Sequence, residues 1–335
     1  MSKFFLIPDN DKADILRDAG ERLNLPAYAV EKDWWVVQTL AILFETELAQ
    51  YMVFKGGTSL SKAWNLIERF SEDIDLAVDR RFFGFDGELR KKERTKLRKA
   101  SKKYIVEHLY PELEQRFLEK GLKAVLQIEE FESSDQDPVV ILVKYPYVIE
   151  TPGYVLPWVK IEIGCRSLIE PYSSRSINSF VDEIYPDAVF AEAAIHIPVV
   201  EPERTLLEKI FLLHEEFQRA HDVMRVDRMS RHLYDIYKLS STVHATNVLE
   251  NQELYEEIVK HRKSFTKLGG VDYKLHNPKT VNPIPPAKLM ETWRRDYLTM
   301  QEQMIHAQSP DFEMMMGVIR EYIEKVNQLD WKIIV

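Results

Sequence analysis

A glycine pair followed by two hydroxyl residues is the first feature of this sequence that could do chemistry. Gly56-Gly57 comes directly after a short apolar run at 51–55, and Thr58 and Ser59 follow it. A glycine pair between a strand and a helix lets the backbone approach a ligand closely. Unpaired N–H groups at the start of the helix suit an anionic phosphate, and the two hydroxyls add donors. The sequence therefore predicts a phosphate-binding turn.

Two aspartates lie shortly after this turn. Asp73 and Asp75 flank Ile74 at the start of a second apolar run. In a strand, residues two apart point to the same face, so the two carboxylates would lie side by side. Two such charges repel one another unless a cation lies between them. Because hard divalent ions prefer carboxylate and phosphate oxygens, we expect Mg²⁺ or Mn²⁺ at these aspartates.

Other metal and phosphate motifs are absent or incomplete. No Gly-x-x-x-x-Gly-Lys-Ser/Thr run is present, which excludes a P-loop. His214 is followed four residues later by Gln218, where a zinc protease motif requires a second histidine. The single cysteine, Cys165, cannot form an intrachain disulfide, and we expect it to be a small buried side chain.

The glycine and aspartate motifs together resemble a known family. Residues 54–62 (FKGGTSLSK) and 71–76 (SEDIDL) are similar to the AbiEii/AbiGii toxin family of the polymerase-β-like nucleotidyltransferase superfamily. Three further stretches also resemble its pattern: 31–36 (EKDWWV), 203–209 (ERTLLEK) and 231–239 (RHLYDIYKL). The interval of fifteen residues between Gly57 and Asp73 is slightly longer than is usual in the superfamily. The resemblance covers about residues 31–239.

The resemblance implies an activity and a set of site residues. The expected reaction transfers NMP from an NTP to an acceptor hydroxyl, with release of pyrophosphate. The implied catalytic residues are Asp73, Asp75, Glu162, Lys209 and Asp235. The implied metal ligands are Asp73, Asp75 and Glu162. The implied nucleotide-binding residues are Gly56, Gly57, Thr58, Ser59, Lys160 and Lys209.

Several of these residues also have structural interpretations. Lys160 and Glu162 share one strand face and could form only an ion pair there. Asp235 could orient Lys209, contact the nucleotide, or merely pair with Arg231 one helical turn away. Tyr234 and Tyr237 of the same helix are better explained as core residues than as platforms for base stacking.

The resemblance also suggests a biological setting. RNA is the leading acceptor, with tRNA 3′ ends first, and the protein would be the toxin of a type IV-like toxin–antitoxin or abortive phage-infection system. A cognate antitoxin would act without stable binding. Alternatives are an antibiotic-type or other small-molecule nucleotidyltransferase, a protein nucleotidyltransferase, and a nucleotide-binding interaction module without catalysis.

The elements that must position these residues indicate an α+β fold. Two helices, separated by Pro26, are predicted over 10–50. Strands are predicted at 51–55, 73–78, 124–130, 139–143 and 159–163, with a helix from Thr58 to Phe70. The pattern from about residue 203 is helical, apart from a proline-rich loop at 276–286. The pattern thus predicts an α+β half followed by a helical half. The resemblance implies that the first (1–200) is a polymerase-β-like core with a mixed sheet and flanking helices, and that the second (201–335) is a helical domain contributing to the active-site cleft.

The charge of the chain is unevenly distributed. The formal net charge is −9, which argues against a simple basic nucleic-acid-binding protein. Between Arg80 and Lys103, however, eleven basic residues oppose three acidic ones, a local charge of +8. This run lies in a helix predicted at 88–109, and we expect Lys91, Lys92 and Arg98 to contact RNA there. A charge run of this kind is otherwise a solvated helix face.

The sequence offers no sign of a membrane protein. No run of eighteen apolar residues is present. The apolar patch near the N-terminus is far shorter than a signal peptide. We therefore expect a cytoplasmic enzyme with no membrane partner.

Overall fold

A computed structural model describes residues 2–151, 156–305 and 307–333. The chain forms two compact units. The first contains the described residues up to Trp64 together with Phe70–Val200, and the second contains Asn65–Arg69 together with the described residues from Glu201 onward. The assignment of separate functions to 1–200 and 201–335 stays a prediction.

The first unit is built on a mixed seven-stranded sheet of order β3-β4-β5-β2-β1-β7-β6. Its strands are β1 (Met52–Lys55), β2 (Ile74–Val78), β3 (Val125–Ile128), β4 (Val139–Lys144), β5 (Trp158–Gly164), β6 (Tyr172–Ile177) and β7 (Ile195–Val200). The central strand β2 runs antiparallel to β1 and parallel to β5. The mixed sheet with its helices confirms the predicted α+β class.

Alternation along β2 separates a core face from a polar face. Ile74 and Leu76 are buried in the main core, whereas Asp75 between them is half-buried. The core includes Trp34 and Leu40, which are at most 2% exposed. Since successive side chains of a strand point to opposite faces, Asp75 lies on the face away from this core.

The helices of the first unit enclose the sheet and include the predicted N-terminal pair. They are α1 (Asp9–Leu23), α2 (Ala27–Leu43), α3 (Gly56–Lys62), α4 (Lys91–Tyr104), α5 (Tyr110–Glu119) and α6 (Phe180–Ile184). Pro26 precedes α2 in an extended conformation, as predicted for the break between the first two helices. Helix α2 contacts α1 and lies against β5.

Three features of this unit differ from the prediction. Helix α3 ends at Lys62 instead of continuing to Phe70, and Asn65 beyond it has a left-handed φ of 54°. Strands β6 and β7 were not predicted. Strand β6 is polar and β7 contains Pro198, which cannot donate to a ladder, so neither shows the usual strand pattern.

The second unit is helical, as the pattern predicted. Its helices are α7 (Pro202–Glu216), α8 (Ser230–Ser240), α9 (Val243–Glu250), α10 (Gln252–Phe265), α11 (Met290–Met304) and α12 (Phe312–Asn327). The proline-rich stretch at 276–286 is irregular, also as predicted. Within the described part of the chain, no helix is both long and apolar enough to cross a membrane.

Candidate active site

Asp73 and Asp75 lie at the start of the central strand. Asp73 immediately precedes β2, and Asp75 is its second residue; both are half-buried. Asp75 is level with Glu162 on the parallel neighbour β5 and with Lys55 on β1. Neighbouring strands place residues of the same level on the same face, so these three side chains form one row across the sheet. The prediction had not included Lys55, although it directly precedes the glycine pair.

Gly56 is required by the close approach of Asp75. It begins α3 with a φ of +85°, which side-chain-bearing residues rarely adopt. A Cβ atom at this position would lie 2.1 Å from Oδ2 of Asp75. The Asp75 carboxylate therefore packs directly against the glycine turn, and the two predicted motifs are adjacent in space.

The hydroxyls of Thr58 and Ser59 are used inside the turn. Thr58 Oγ1 donates to Ser71 Oγ at 2.9 Å, and Ser59 Oγ donates to the Gly56 carbonyl at 2.9 Å. Both side chains are at most 1% exposed. The Thr58 bond holds α3 against the segment that leads into Asp73, and the Ser59 bond lies within the first turn of α3. Their binding of a nucleotide phosphate stays a prediction, as does that of Gly57.

Lys160 and Glu162 share the same face of β5, as predicted, and pair with each other. The distance from Lys160 Nζ to Glu162 Oε1 is 2.6 Å, and both side chains are about one-third exposed. Burial acts to lower the pKa of Lys160, but the hydrogen bond and charge of Glu162, with the charge of Asp73, raise it overall. Asp73 thus lies close enough to Lys160 for their charges to interact.

The donor chemistry of this edge suits a divalent cation. Asp73, Asp75 and Glu162 supply the carboxylate oxygens that Mg²⁺ and Mn²⁺ prefer. Among residues 2–151, 156–305 and 307–333, no three His, Cys, Asp or Glu side chains are arranged ready to hold a metal ion. Glu162 is paired with Lys160 through Oε1, so its second oxygen, Oε2, is the atom that could join a metal site with the aspartates while that pair is kept.

Three consecutive charged residues of α2 anchor the elements around this edge. Lys32 Nζ lies 2.6 Å from Oε2 of Glu72, the residue before Asp73. Glu31 accepts hydrogen bonds from the backbone N–H groups of Val148 and Ile149 at 2.7 and 3.0 Å.

The third of these charged residues is tied to helix α3. Asp33 pairs with Lys62 at 2.9 Å, and both side chains are 5% exposed. The sequence showed these charges as part of a family pattern, but their positioning role depends on partners distant in the chain.

The second unit contains a separate cluster around Asp235. Lys209 of α7 lies 2.8 Å from Asp235 Oδ2, and Arg69 binds both oxygens of this carboxylate at 2.7 and 2.8 Å. All three side chains are at most 8% exposed. Burial acts to raise the pKa of Asp235, but the charges and hydrogen bonds of Arg69 and Lys209 lower it well below its usual range.

These contacts bear on two of the interpretations of Asp235. Its ion-pair partners in the described part of the chain are Arg69 and Lys209, and no ion pair with Arg231 is seen there. Contact of Asp235 with the nucleotide stays a prediction. Arg69 was not predicted; its place four residues before Asp73 is the only signal in the sequence. Tyr234 is buried, as expected of a core residue, and Tyr237 is half-buried.

The basic helix α4 presents a regular stripe of lysines. Lys92, Lys96, Lys99 and Lys103 are exposed and lie at i, i+4, i+7 and i+11, the spacing of one helix face. Lys91 is exposed at the first turn. Arg98 is different, because it pairs with Asp135 and hydrogen-bonds to its carbonyl oxygen at 3.1 Å.

Comparisons with known proteins show the family to which this chain belongs. The family model described as "Nucleotidyl transferase AbiEii toxin, Type IV TA system" matches residues 38–318, most of the chain. The chain belongs to the AbiEii nucleotidyltransferase toxin family. It is thus a nucleotidyltransferase, and the family is one of type IV toxin–antitoxin toxins.

A solved structure supports the fold. MenT4, a nucleotidyltransferase toxin from Mycobacterium tuberculosis H37Rv, is similar with a TM-score of 0.56. It is 16% identical in sequence, and the match covers 95% of this chain and 90% of that chain. A search of curated protein sequences gives no match.

Proposed function

We propose that this AbiEii-family protein transfers NMP from an NTP to a hydroxyl of RNA, with tRNA 3′ ends as the leading acceptor. The observation that carries the proposal is the row of acidic residues on one sheet face. Asp75 and Glu162 are level on adjacent strands, Asp73 is two residues from Asp75, and Gly56 leaves room for the Asp75 carboxylate.

In the proposed reaction, the acceptor oxygen attacks the α-phosphorus of the NTP and pyrophosphate leaves. Asp73 and Asp75 would hold Mg²⁺ or Mn²⁺, which neutralises charge on the attacking and leaving oxygens when bound. Glu162 would either complete this ligand set or accept the proton of the attacking hydroxyl. Lys160, which pairs with Oε1 of Glu162, would orient this carboxylate for either role.

Lys209 has the character of a positioned point charge. Its ammonium is fixed by Asp235, which Arg69 holds by two hydrogen bonds. We propose that Lys209 stabilises the charge of the triphosphate and that Asp235 acts by positioning it. This assignment makes Asp235 a positioning residue, not a metal ligand.

RNA as the acceptor is supported by the lysine stripe of α4. Four exposed lysines on one helix face extend over about 16 Å, which suits a chain of phosphates better than a small antibiotic or a single protein side chain. Lys91 and Lys92 belong to this basic surface. Arg98 is already neutralised by Asp135 and would contribute less.

The direct test is transfer of labelled NTP to RNA. The purified protein is incubated with Mg²⁺, each α-labelled NTP in turn and total tRNA. We expect label on tRNA, loss of transfer in Asp75→Asn, and normal transfer in the exposed control Asp86→Asn. Label found only on protein or on an aminoglycoside would refute the RNA acceptor. No transfer to any acceptor would favour a binding module.

The toxin setting implies an antitoxin. We infer that a cognate antitoxin, if encoded beside this protein, acts without forming a stable complex, and that the system contributes to abortive phage infection. Co-expression followed by size-exclusion chromatography tests the first part: co-elution would contradict it. Rescue of growth by the antitoxin, and protection from phage lost in Asp75→Asn, test the second.

A further inference from the structure

Strands β3, β4 and β5 form an antiparallel part of the sheet beside the carboxylate row. Leu126, Val143 and Val159 are level with one another on these strands and are buried in the main core. Because successive side chains of a strand alternate between faces, the residues between them point away from this core. That is also the face of Asp75 and Glu162, so the carboxylate row and these side chains share one side of the sheet.

Six side chains form two adjacent rows on this face, and we call them the sheet platform. The register aligns Gln127, Leu142 and Lys160 in the first row, and Val125, Lys144 and Trp158 in the second. The platform contains no acidic residue. Its first row is two residues from the level of Glu162, which is about 7 Å along a strand. The platform therefore adjoins Glu162 on the side of β4 and β3.

The platform presents apolar and cationic groups together. Val125 is 66% exposed, and Leu142 and Trp158 are only half-buried. Exposed Lys144 donates from Nζ to the amide oxygen of Gln127 at 2.6 Å, and this neutral partner leaves the lysine charge free to attract an anion. A sheet face that meets only water is usually polar. An aromatic ring beside lysines on an antiparallel sheet is the combination with which proteins bind single-stranded nucleic acid.

The order of the strands gives this surface a place in the reaction. Gly56 follows β1, Asp75 lies on β2 and Glu162 lies on β5, with β4 and β3 beyond it. In the proposed function, the triphosphate binds at the Gly56 end of this row and Glu162 faces the acceptor hydroxyl. The acceptor chain then extends from the side of Glu162 away from Gly56, which is the side of the platform.

We propose that the single-stranded 3′ end of the acceptor RNA binds on the sheet platform, with a base stacked on Trp158 and a phosphate bound by Lys144. Stacking suits any base, since every base has a π-face, and a lysine binds phosphate as a point charge. This arrangement presents the terminal hydroxyl to Glu162. The choice of RNA as the occupant rests on the proposed function; the surface itself rests on the register and exposure of these strands.

The test is binding of a short single-stranded RNA to the full chain without NTP, followed by fluorescence anisotropy. We expect the dissociation constant to rise about tenfold in Trp158→Ala, which corresponds to about 1.4 kcal/mol. Trp158→Phe keeps an aromatic ring and should stay near the wild-type value. Lys144→Gln should make the slope of log affinity against log salt concentration less steep by about 0.7. The controls Tyr172→Ala, at a 47% exposed aromatic residue of β6, and Lys3→Gln should bind as the wild type does.

A fluorescent base shows which end of the RNA lies on the platform. An aminopurine beside the 3′ end should change its fluorescence on binding to the wild type but not to Trp158→Ala, whereas the same base at the 5′ end should not distinguish the two proteins. A response at the 3′ end that survives in Trp158→Ala would overturn the proposal. So would a wild-type dissociation constant in both Trp158→Ala and Lys144→Gln. If circular dichroism shows that Trp158→Ala does not fold, Trp158→Leu replaces it, because leucine keeps apolar bulk without a ring.

The surface and the proposed function can fail separately. In transfer to tRNA, Trp158→Ala should raise the KM for tRNA and leave the KM for NTP unchanged. If transfer occurred with a wild-type KM for tRNA in this variant, the platform would be wrong and the proposed function would stand. If the wild type labelled only protein but its RNA binding still depended on Trp158, the RNA acceptor would be wrong and the platform would stand as an RNA-binding surface.

Discussion

At the scale of single residues, two carboxylates, one in each unit, are held by atoms that approach them closely. The Asp75 carboxylate occupies the space that any side chain at position 56 would need. Asp235 forms ion pairs with two buried cations that the sequence separates by 140 residues. In both cases the position of a carboxylate depends on a neighbouring residue, and substitution of either partner is expected to disturb the structure.

Gly56→Ala is expected to abolish transfer. The substitution combines an unfavourable φ, costing about 1 kcal/mol, with a steric conflict that displaces the Asp75 carboxylate. Gly84→Ala is the matched control, because Gly84 has a similar φ of +77° but no neighbouring atom within 4 Å. Transfer assays and thermal melts would compare them. Equal activities in the two variants would contradict the steric role of Gly56.

Asp235→Asn is expected to destabilise the fold by about 3–5 kcal/mol, because it leaves two buried cations without their shared counter-charge. Urea unfolding measures the loss. The control is Asp330→Asn, which removes an exposed ion pair with Lys279 and should leave stability close to that of the wild type. Comparable stabilities for both variants would show that the Asp235 cluster is not a structural ion pair.

At the scale of elements, α4 combines a structural face with an exposed cationic face. Leu97 is fully buried and Arg98 pairs with Asp135, so these residues attach the helix to its own unit. Lys92, Lys96 and Lys99 are exposed instead. The basic run predicted from the sequence thus consists of two groups with different roles.

Charge reversal at Lys92, Lys96 and Lys99 is expected to weaken RNA transfer and to make it less dependent on salt. The slope of log RNA affinity against log salt concentration should become less steep by about 2–3, since each lost phosphate contact contributes about 0.7–0.9 to it. NTP binding should be unchanged. The control reverses three exposed basic residues elsewhere in the unit, Lys3, Arg17 and Arg22. RNA transfer measured between 50 and 200 mM salt, roughly the range over which such contacts are lost, separates the two. An equal salt slope in both triple variants would refute docking on α4.

At the scale of the whole molecule, buried acids make stability depend on pH. Burial raises the pKa of Glu31 from 4.5 to about 7, against the opposing effect of its two backbone hydrogen bonds. The folded protein therefore retains a proton that the unfolded chain has released between these values. Because the folded state binds more protons, the free energy of unfolding falls as pH rises through this window.

Glu31→Gln is expected to remove about 2–3 kcal/mol of this fall. Urea unfolding at pH 5 and pH 8, roughly the two sides of the window, measures the difference for wild type and variant. Burial also raises the pKa values of Asp33 and Asp182. Their contribution to the pH dependence of stability is the same in wild type and variant, so it cancels in the comparison. The exposed Glu107→Gln is the control. A wild-type pH slope in Glu31→Gln would show that Glu31 is ionised in the fold.

Local pattern was enough to predict most of the first unit. The apolar runs predicted β1, β2, β3, β4 and β5, and Pro26 predicted the break between the first two helices. The local pattern gave a wrong prediction where long-range contacts determine the backbone conformation. Apolar residues at helical spacing suggested a helix to Phe70, but Asn65–Arg69 belongs to the second unit, where Arg69 binds Asp235.

The sequence by itself predicted the chemistry of this protein, because Gly56-Gly57, Asp73 and Asp75 lie within twenty residues of one strand–turn–helix–strand segment. Only the tertiary structure decided the partners of the remaining charges. Lys160 pairs with Glu162, Lys32 with Glu72, and Lys209 with Asp235. The physical reason is that a charge loses its water on burial and must find a counter-charge in space, which sequence distance does not reveal.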